Sequence, residues 1–291
     1  MVTDLRNNEH IITIDMGKGI GLISGHTKKV GNTVGFRNSA SNNGQTQGYR
    51  VYQPIVRNPQ TAAQAEQRAK TAAINATYSH LKMIIDRGNE SLPYGNRSRC
   101  AWLKKAFKAE IIPWFRKTQS PYYPVLCELT HGSLNGVWYE ATEDNCIIYA
   151  DSVLSTTHIE TIGDLTQFLI TSYPALRDGD QLTFVAAGEE NEQMKTFITS
   201  IILDPYDDEP AEHFSCIQGK ILWEPGIGDA CYAVIVSREG AAGKHLRSTA
   251  NLMGWSNIEQ NAPYDNASKS AAIASYQTSQ SANNDWQEDS Q

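Results

Sequence analysis

The side chains able to do chemistry in this chain are few and poorly grouped. Acidic residues crowd two stretches, GEENE (188–192) and DPYDDEPAEHF (204–214), and both invite comparison with a calcium or acid–base site. A calcium loop alternates its oxygen ligands as D-x-[DN]-x-[DN]-G with a distant Glu. Neither stretch keeps that spacing, so both are expected to be solvated loop charge. Cys127 with His131 and His213 with Cys216 bring a thiol near an imidazole in sequence, but in no motif that would activate a thiolate. The five cysteines (Cys100, Cys127, Cys146, Cys216 and Cys231) are odd in number and contain no C-x-x-C pair. No histidine stands at zinc-finger spacing from another ligand. Free thiols in a reducing compartment, with no metal and no cofactor, are the expectation. Glycines at Gly17, Gly19, Gly21, Gly25, Gly31 and Gly35 raise the question of a phosphate loop. A Walker loop needs G-x-x-x-x-G-K-[ST], and Gly21 to Gly25 followed by His26 fails it. The dinucleotide fingerprint G-x-G-x-x-G fails at Leu22. The chain is therefore not expected to be an enzyme.

Charge carries more information. The chain has 25 Lys plus Arg against 32 Asp plus Glu, a net charge of −7. Residues 1–120 hold 18 basic and 7 acidic side chains, and residues 121–291 hold 7 and 25, so the halves stand at +11 and −18. The basic residues fall into three sets: Arg37, Arg50 and Arg57 on an exposed arm, Arg68 and Lys70 on a first helix, and Arg97, Arg99, Lys104, Lys105 and Lys108 on a second. Tyr49, Tyr52, Trp102 and Trp114 are interleaved with them. This distribution suits phosphate neutralisation without base reading, or docking on an acidic surface. The −18 half supplies such a surface, so copies arranged head to tail could satisfy the charge among themselves.

The elements that must position these residues can be read in turn. Alternating glycine and apolar residues over 10–35 predict short strands and tight turns. Thr61 and Gln64 form a capping-box pattern, Pro59 blocks backward extension and Gly88 offers a stop, which predicts a long helix from Thr61 to Gly88. Its small residues Ala62, Ala65, Ala69, Ala72 and Ala76 form a stripe against which another element can pack closely. A second helix is expected from Ser98 to about Ile112, ended by Pro113. After residue 120 strands are expected at 123–129, 137–140, 146–150, 181–186, 196–203, 217–222, 231–237 and 245–252, interrupted by one helix at 162–173 with Thr161 and Asp164 at its start. The fold class expected is α+β: an N-terminal hairpin plus two helices over 1–120, and a C-terminal antiparallel β-sandwich with one inserted helix over 121–255. Residues 256–291, rich in Ser, Asn, Gln and Ala with one lysine against five acids, form a polar acidic tail expected to be disordered alone in water. No run reaches the ~18 apolar residues of a membrane span, and the N-terminus lacks the pattern of an export signal.

The segments VGNTVGFRN (30–38), YRVYQPIVRNPQT (49–61) and AAQAEQRAKTAA (62–73) resemble an uncharacterised family of proteins from Bacteroidota and their phages and prophages. Its pattern is a glycine-rich hairpin ending in V-G, an arginine-bearing strand, and N-P-x-T-x-x-Q-x-x-x-R opening a helix. Here Asn58, Pro59, Thr61, Gln64 and Arg68 occupy those places. YGNRSRCAWLKKAF (94–107), TIGDLTQFLITSYPALRDGDQLTFVA (161–186) and CYAVIVSREGAAGKHLRSTANLM (231–253) are similar to it as well. The insertion NSASNNGQTQ after Arg37 departs from it, removing charge where a short basic turn is expected. The resemblance transfers no catalytic residue. It implies a structural protein of a phage virion, made in the host cytoplasm and assembled through subunit contacts, with its basic half facing packaged nucleic acid or an acidic surface. The expected partners are further copies and other virion proteins, with DNA left open and no membrane. The competing expectation is a non-sequence-specific nucleic-acid-binding protein of the host cytoplasm.

Overall fold

A computed structural model of the chain describes residues 29–30, 34–38, 46–50, 61–150, 159–227, 229–240, 245–255 and 257–278. The chain divides into two compact units, Met1–Pro59 and Gln60–Gln291. In the first, β1 (Lys29–Val30), β2 (Val34–Asn38) and β3 (Thr46–Arg50) form an antiparallel sheet in chain order. β2 and β3 are in register from Val34 opposite Arg50 to Asn38 opposite Thr46. The glycines from Gly17 to Gly25, Arg57 and residues beyond 278 lie outside the described residues.

The second unit begins with helix α1 (Ala62–Ile85). Thr61 caps it as its spacing predicts, its hydroxyl accepting from the Gln64 N–H at 3.3 Å. Ala65, Ala69, Ala73, Ile74, Thr77, Leu81 and Ile85 recur at three- and four-residue steps and are all buried. α2 (Asn96–Ala106) packs on α1 and buries Ser98, Trp102 and Ala106. It stops before Pro113 because the chain beyond it bonds to distant segments: the Ile111 carbonyl accepts from Leu126 N–H at 3.3 Å, and Trp114 N–H donates to the Pro263 carbonyl at 3.0 Å.

Two four-stranded antiparallel sheets follow. One has the order β5 (Tyr139–Ala141), β6 (Cys146–Tyr149), β10 (Lys220–Trp223), β9 (Phe214–Ile217). The other runs β12 (His245–Arg247), β11 (Cys231–Glu239), β7 (Gln181–Glu190), β8 (Gln193–Ile202). They face each other as a sandwich, with Trp223 from the first sheet 5.3 Å from Phe184 and 5.9 Å from Tyr232 of the second, centroid to centroid. Two-residue turns with positive φ at both positions, Asn191-Glu192 and Gln218-Gly219, close the β7–β8 and β9–β10 hairpins and match the twist of their strands. The second turn splits what reads in sequence as one strand. β4 (Glu128–Thr130) and β13 (Ala250–Asn251) form a small separate pair. The inserted helix α3 (Ile162–Ser172) has the full reciprocal capping box of Thr161 and Asp164. The outcome is the expected α+β class with a C-terminal sandwich.

Two features differ from the sequence reading. The division falls at residue 59, not near 120, because neither helix can bury its apolar face on the other alone. A continuous core runs from Ile74, Leu81, Ile85 and Trp102 through Val125 and Leu129 to Phe184, Val234 and Trp223. Thr77 fixes the junction: its hydroxyl donates to the Ala73 carbonyl (3.0 Å) and accepts the Val125 N–H (2.9 Å). The polar tail is also folded over 257–278. Tyr264 is buried with its hydroxyl donating to the Pro124 carbonyl (2.8 Å), Asp265 accepts the Ser268 N–H (2.6 Å), and α4 (Asn266–Thr278) lies along α1. Ala272 is fully buried, and Lys269 pairs with Glu66 at 2.8 Å. The small-residue stripe of α1 is what receives this helix. An alanine- and serine-rich segment of weak amphipathicity reads as low complexity until its partner is known.

Candidate functional site

The basic residues singled out in sequence are dispersed by the fold. Arg37 lies on β2 and Arg50 on β3, in the first unit. Arg68 and Lys70 are half-buried on α1. On α2 the set divides by helical face. Arg99 stacks its guanidinium over the Tyr78 ring at 4.3 Å, and Lys105 pairs with Glu128 at 2.5 Å, so both serve packing. Arg97 and Lys104, two turns apart, share an exposed face with Lys108 just beyond the helix, beside partly exposed Phe107. Of the ten, these three make the one contiguous basic surface among the described residues.

A second basic cluster escaped the sequence reading. The Arg87 guanidinium stands 5.8 Å from the Tyr94 ring, which lies 6.3 Å from the His245 ring, and the Arg247 side chain lies beside Tyr94. Burial, and secondarily the neighbouring Arg87 cation, hold Arg247 below its ordinary basicity. No local signal could have found this cluster, because the β11–β12 pairing sets Glu239 opposite His245 and Ser237 opposite Arg247 and so brings residues 245–247 to the α1–α2 loop. The loop is anchored by Glu90, whose carboxylate accepts from Ser133 N–H (2.9 Å), Ser133 Oγ (3.0 Å) and Arg247 N–H (3.2 Å).

The groups with displaced titration are mainly buried phenols and thiols. Burial pushes the Cys231 thiol from its ordinary 9.0 up to about 12, drives Cys146 higher still, and raises Tyr139, Tyr232 and Tyr264. These shifts favour the neutral form, the opposite of what activates a nucleophile. A cleft of about 320 Å³ opens between α1, the 115–121 segment and α4, lined by Ala69, Ala72, Ala76, Phe115 and Tyr276 with Lys117 at its side. Its lining residues include no carboxylate, imidazole or thiol. Among the described residues no group of three or more His, Cys, Asp or Glu could hold a metal ion, and no described helix is long and apolar enough to cross a membrane.

The most extended feature is a sheet edge. β8 is the outermost strand of its sheet, and its ten residues, QMKTFITSII, carry Lys195 as their one charge, paired with Glu190 across the hairpin. Ile198 and Ile202 are 38% and 61% exposed, on the same face as buried Val185 and Thr183. β9, outermost in the other sheet, lies on the same side of the sandwich: Phe214 stacks on Phe184 at 5.0 Å, His213 meets Phe197 at 5.5 Å, and Ile217 is 56% exposed. A long edge with a single charge near one end and no proline or glycine is a template for another strand, which monomeric proteins ordinarily blunt with charge, proline or a bulge. Comparison with family models, with curated proteins and with solved structures returns no match.

Proposed function

We propose that this chain is a non-enzymatic structural protein of a bacteriophage particle, made in the host cytoplasm and assembled into the virion through subunit contacts. The observation that carries the assembly part is the β8 edge, ten residues long, with two exposed isoleucines and, among the described residues, a second outermost strand, β9, beside it. Such an edge stays soluble in function only when something covers it. The phage context rests on the resemblance of 30–38, 49–73 and the later segments to proteins of phage and prophage origin. Mass spectrometry of purified particles tests the proposal: the chain should be recovered at a stoichiometry of many copies per particle. Its absence from particles in a host that expresses it overturns the virion assignment.

The second reading, a non-sequence-specific nucleic-acid-binding protein of the host cytoplasm, is favoured by the exposed Arg97, Lys104 and Lys108 face and by the Arg87–Tyr94–His245–Arg247 cluster. A purified chain acting this way binds duplex DNA with an affinity that falls steeply with salt. In a virion the same basic surfaces would face packaged nucleic acid or an acidic neighbour.

A further inference from the structure

We infer that Arg87, Tyr94, His245 and Arg247 form a binding site for a phosphate group. The inference goes beyond both functional readings, since the phosphate can be borne by a nucleic acid or by a small molecule. Arg87 and Tyr94 lie near the two ends of the loop that joins α1 to α2. The Gly95 N–H donates to the Asp86 carbonyl at 2.9 Å and closes that loop, which holds the two side chains next to each other. His245 and Arg247 stand two residues apart on β12 and therefore share one face of their sheet. Arg247 loses basicity first to burial; Tyr94 opposes that loss, and the Arg87 cation adds to it. Elsewhere the fold answers such charges, giving Asp180 to Arg238, Glu128 to Lys105 and Glu66 to Lys269. Here it does not: among the described residues none of Arg87, His245 and Arg247 forms an ion pair. The nearby Glu90 carboxylate accepts from Ser133 and from the Arg247 main-chain N–H, and Glu239 stands opposite His245 without pairing with it. Guanidiniums gathered without a counter-charge repel each other, and an anion set among them turns that repulsion into attraction. A carboxylate has two acceptor oxygens, which one guanidinium fork occupies. A phosphate has oxygens enough for two forks and for the Tyr94 hydroxyl at once. Tyr94 is 53% exposed, and Arg87 and His245 are exposed as well, so the site is open to a phosphate carried on a larger molecule.

The test uses the purified full chain and inorganic phosphate, with thermal unfolding compared between phosphate and NaCl of equal ionic strength. At about 20 mM phosphate, a site with a Kd of about 1–2 mM raises the melting temperature by about 3–6 °C. Arg87→Gln should abolish most of that rise. In NaCl the same variant should melt within about 2 °C of the parent, because an exposed cation repelled by its neighbour adds little stability. Arg247→Lys keeps the charge and loses the planar fork, so it should weaken phosphate binding by about threefold or more. Glu239→Gln removes a neighbouring negative charge and should tighten binding by about twofold. A basic cluster that only packs gives the reverse pattern, with Arg87→Gln costing stability in NaCl and leaving the response to phosphate unchanged. A labelled single-stranded oligonucleotide, with and without a 5′-phosphate, then separates the sources. Binding that needs the 5′-phosphate and Arg87 supports a terminal phosphate, and equal binding of both forms that needs Arg87 supports the phosphodiester backbone. A response to inorganic phosphate with neither oligonucleotide bound supports a small-molecule source. No rise over NaCl overturns the inference. So does a rise that Arg87→Gln keeps, which reflects only exclusion of phosphate from the protein surface. Recovery of the chain from particles is scored separately, so a failed phosphate site leaves the virion assignment standing.

Discussion

Replacing Thr77 by Val tests whether helix α1 and the sandwich are one cooperative body. Valine keeps the shape and β-branching of the side chain and removes only the hydroxyl. That hydroxyl is fully buried and is the acceptor for the Val125 N–H at 2.9 Å, while donating to Ala73 on its own helix. The Ala73 carbonyl keeps its helical partner, so the cost falls on the Val125 N–H, which is left buried and unpaired. An orphaned buried donor costs about 1–3 kcal/mol. In a unit of this size each kcal/mol moves the melting temperature by about 2–4 °C, so a central loss of ~2 kcal/mol lowers it by about 4–8 °C. Thermal unfolding should be followed by far-ultraviolet circular dichroism, dominated by the helices, and by tryptophan fluorescence, to which Trp223 in the sandwich contributes. Both signals should shift together in one transition. Thr77→Ser, which keeps the hydroxyl and loses one methyl, should cost about 1 kcal/mol. Two separated transitions, with only the helical signal displaced, would refute the single core. So would a Thr77→Val protein as stable as the parent.

Three other outcomes are expected. Asp180 is 1% exposed and grips Arg238 through two hydrogen bonds of 2.6 and 2.7 Å, so Asp180→Asn should lower the unfolding free energy by about 3 kcal/mol in a urea titration. Cys231 is fully buried with its thiol raised from 9.0 to about 12, so the unfolded chain gives up this proton first. Its contribution to stability is therefore complete below pH 9 and is lost as pH rises toward 12. Urea midpoints should fall through that window, and at about pH 8 Cys231 should react with a thiol reagent no faster than the protein unfolds. Replacing Arg97, Lys104 and Lys108 together by Glu should shift the melting temperature by no more than about 3–6 °C, since exposed substitutions typically cost within about 0.5 kcal/mol each. Any duplex-DNA binding by the parent chain should weaken, with the salt slope falling by about 0.9 for each phosphate no longer neutralised.

What could be read from the sequence was local. Thr61 and Thr161 announce α1 and α3 because a cap is written within four residues, and both caps form with the expected partners. The core strands β7 and β11 are legible as apolar runs buried on both faces. The β9–β10 turn was hidden because Gln218-Gly219 sits in a run of otherwise strand-like residues, and only the positive φ at both positions reveals it. The candidate surfaces were harder still. Whether a lysine is free depends on what the fold sets beside it, and Glu128 consumes Lys105 from a different element, which no spacing on α2 could show. That β8 is outermost is likewise a fact of strand order, invisible to any pattern within the strand itself.

The hydrogen bonds that close the second unit span long stretches of chain, from Thr130 to Ser248, Pro124 to Tyr264 and Lys117 to Ser275. During synthesis α1 leaves the ribosome well before the strands and the helix that cover it. At about 5–20 residues per second, roughly 10–40 s pass between completion of α1 and completion of α4. Throughout that interval its alanine stripe and the apolar row of Ile74, Leu81 and Ile85 lack their final cover. The unit can therefore close only once α4 has been made, as expected for a fold dominated by distant pairings. A nascent chain stalled before residue 278 presents to chaperones the surface that α4 later hides, so translation rate over the second half should govern how much of this protein reaches its native state.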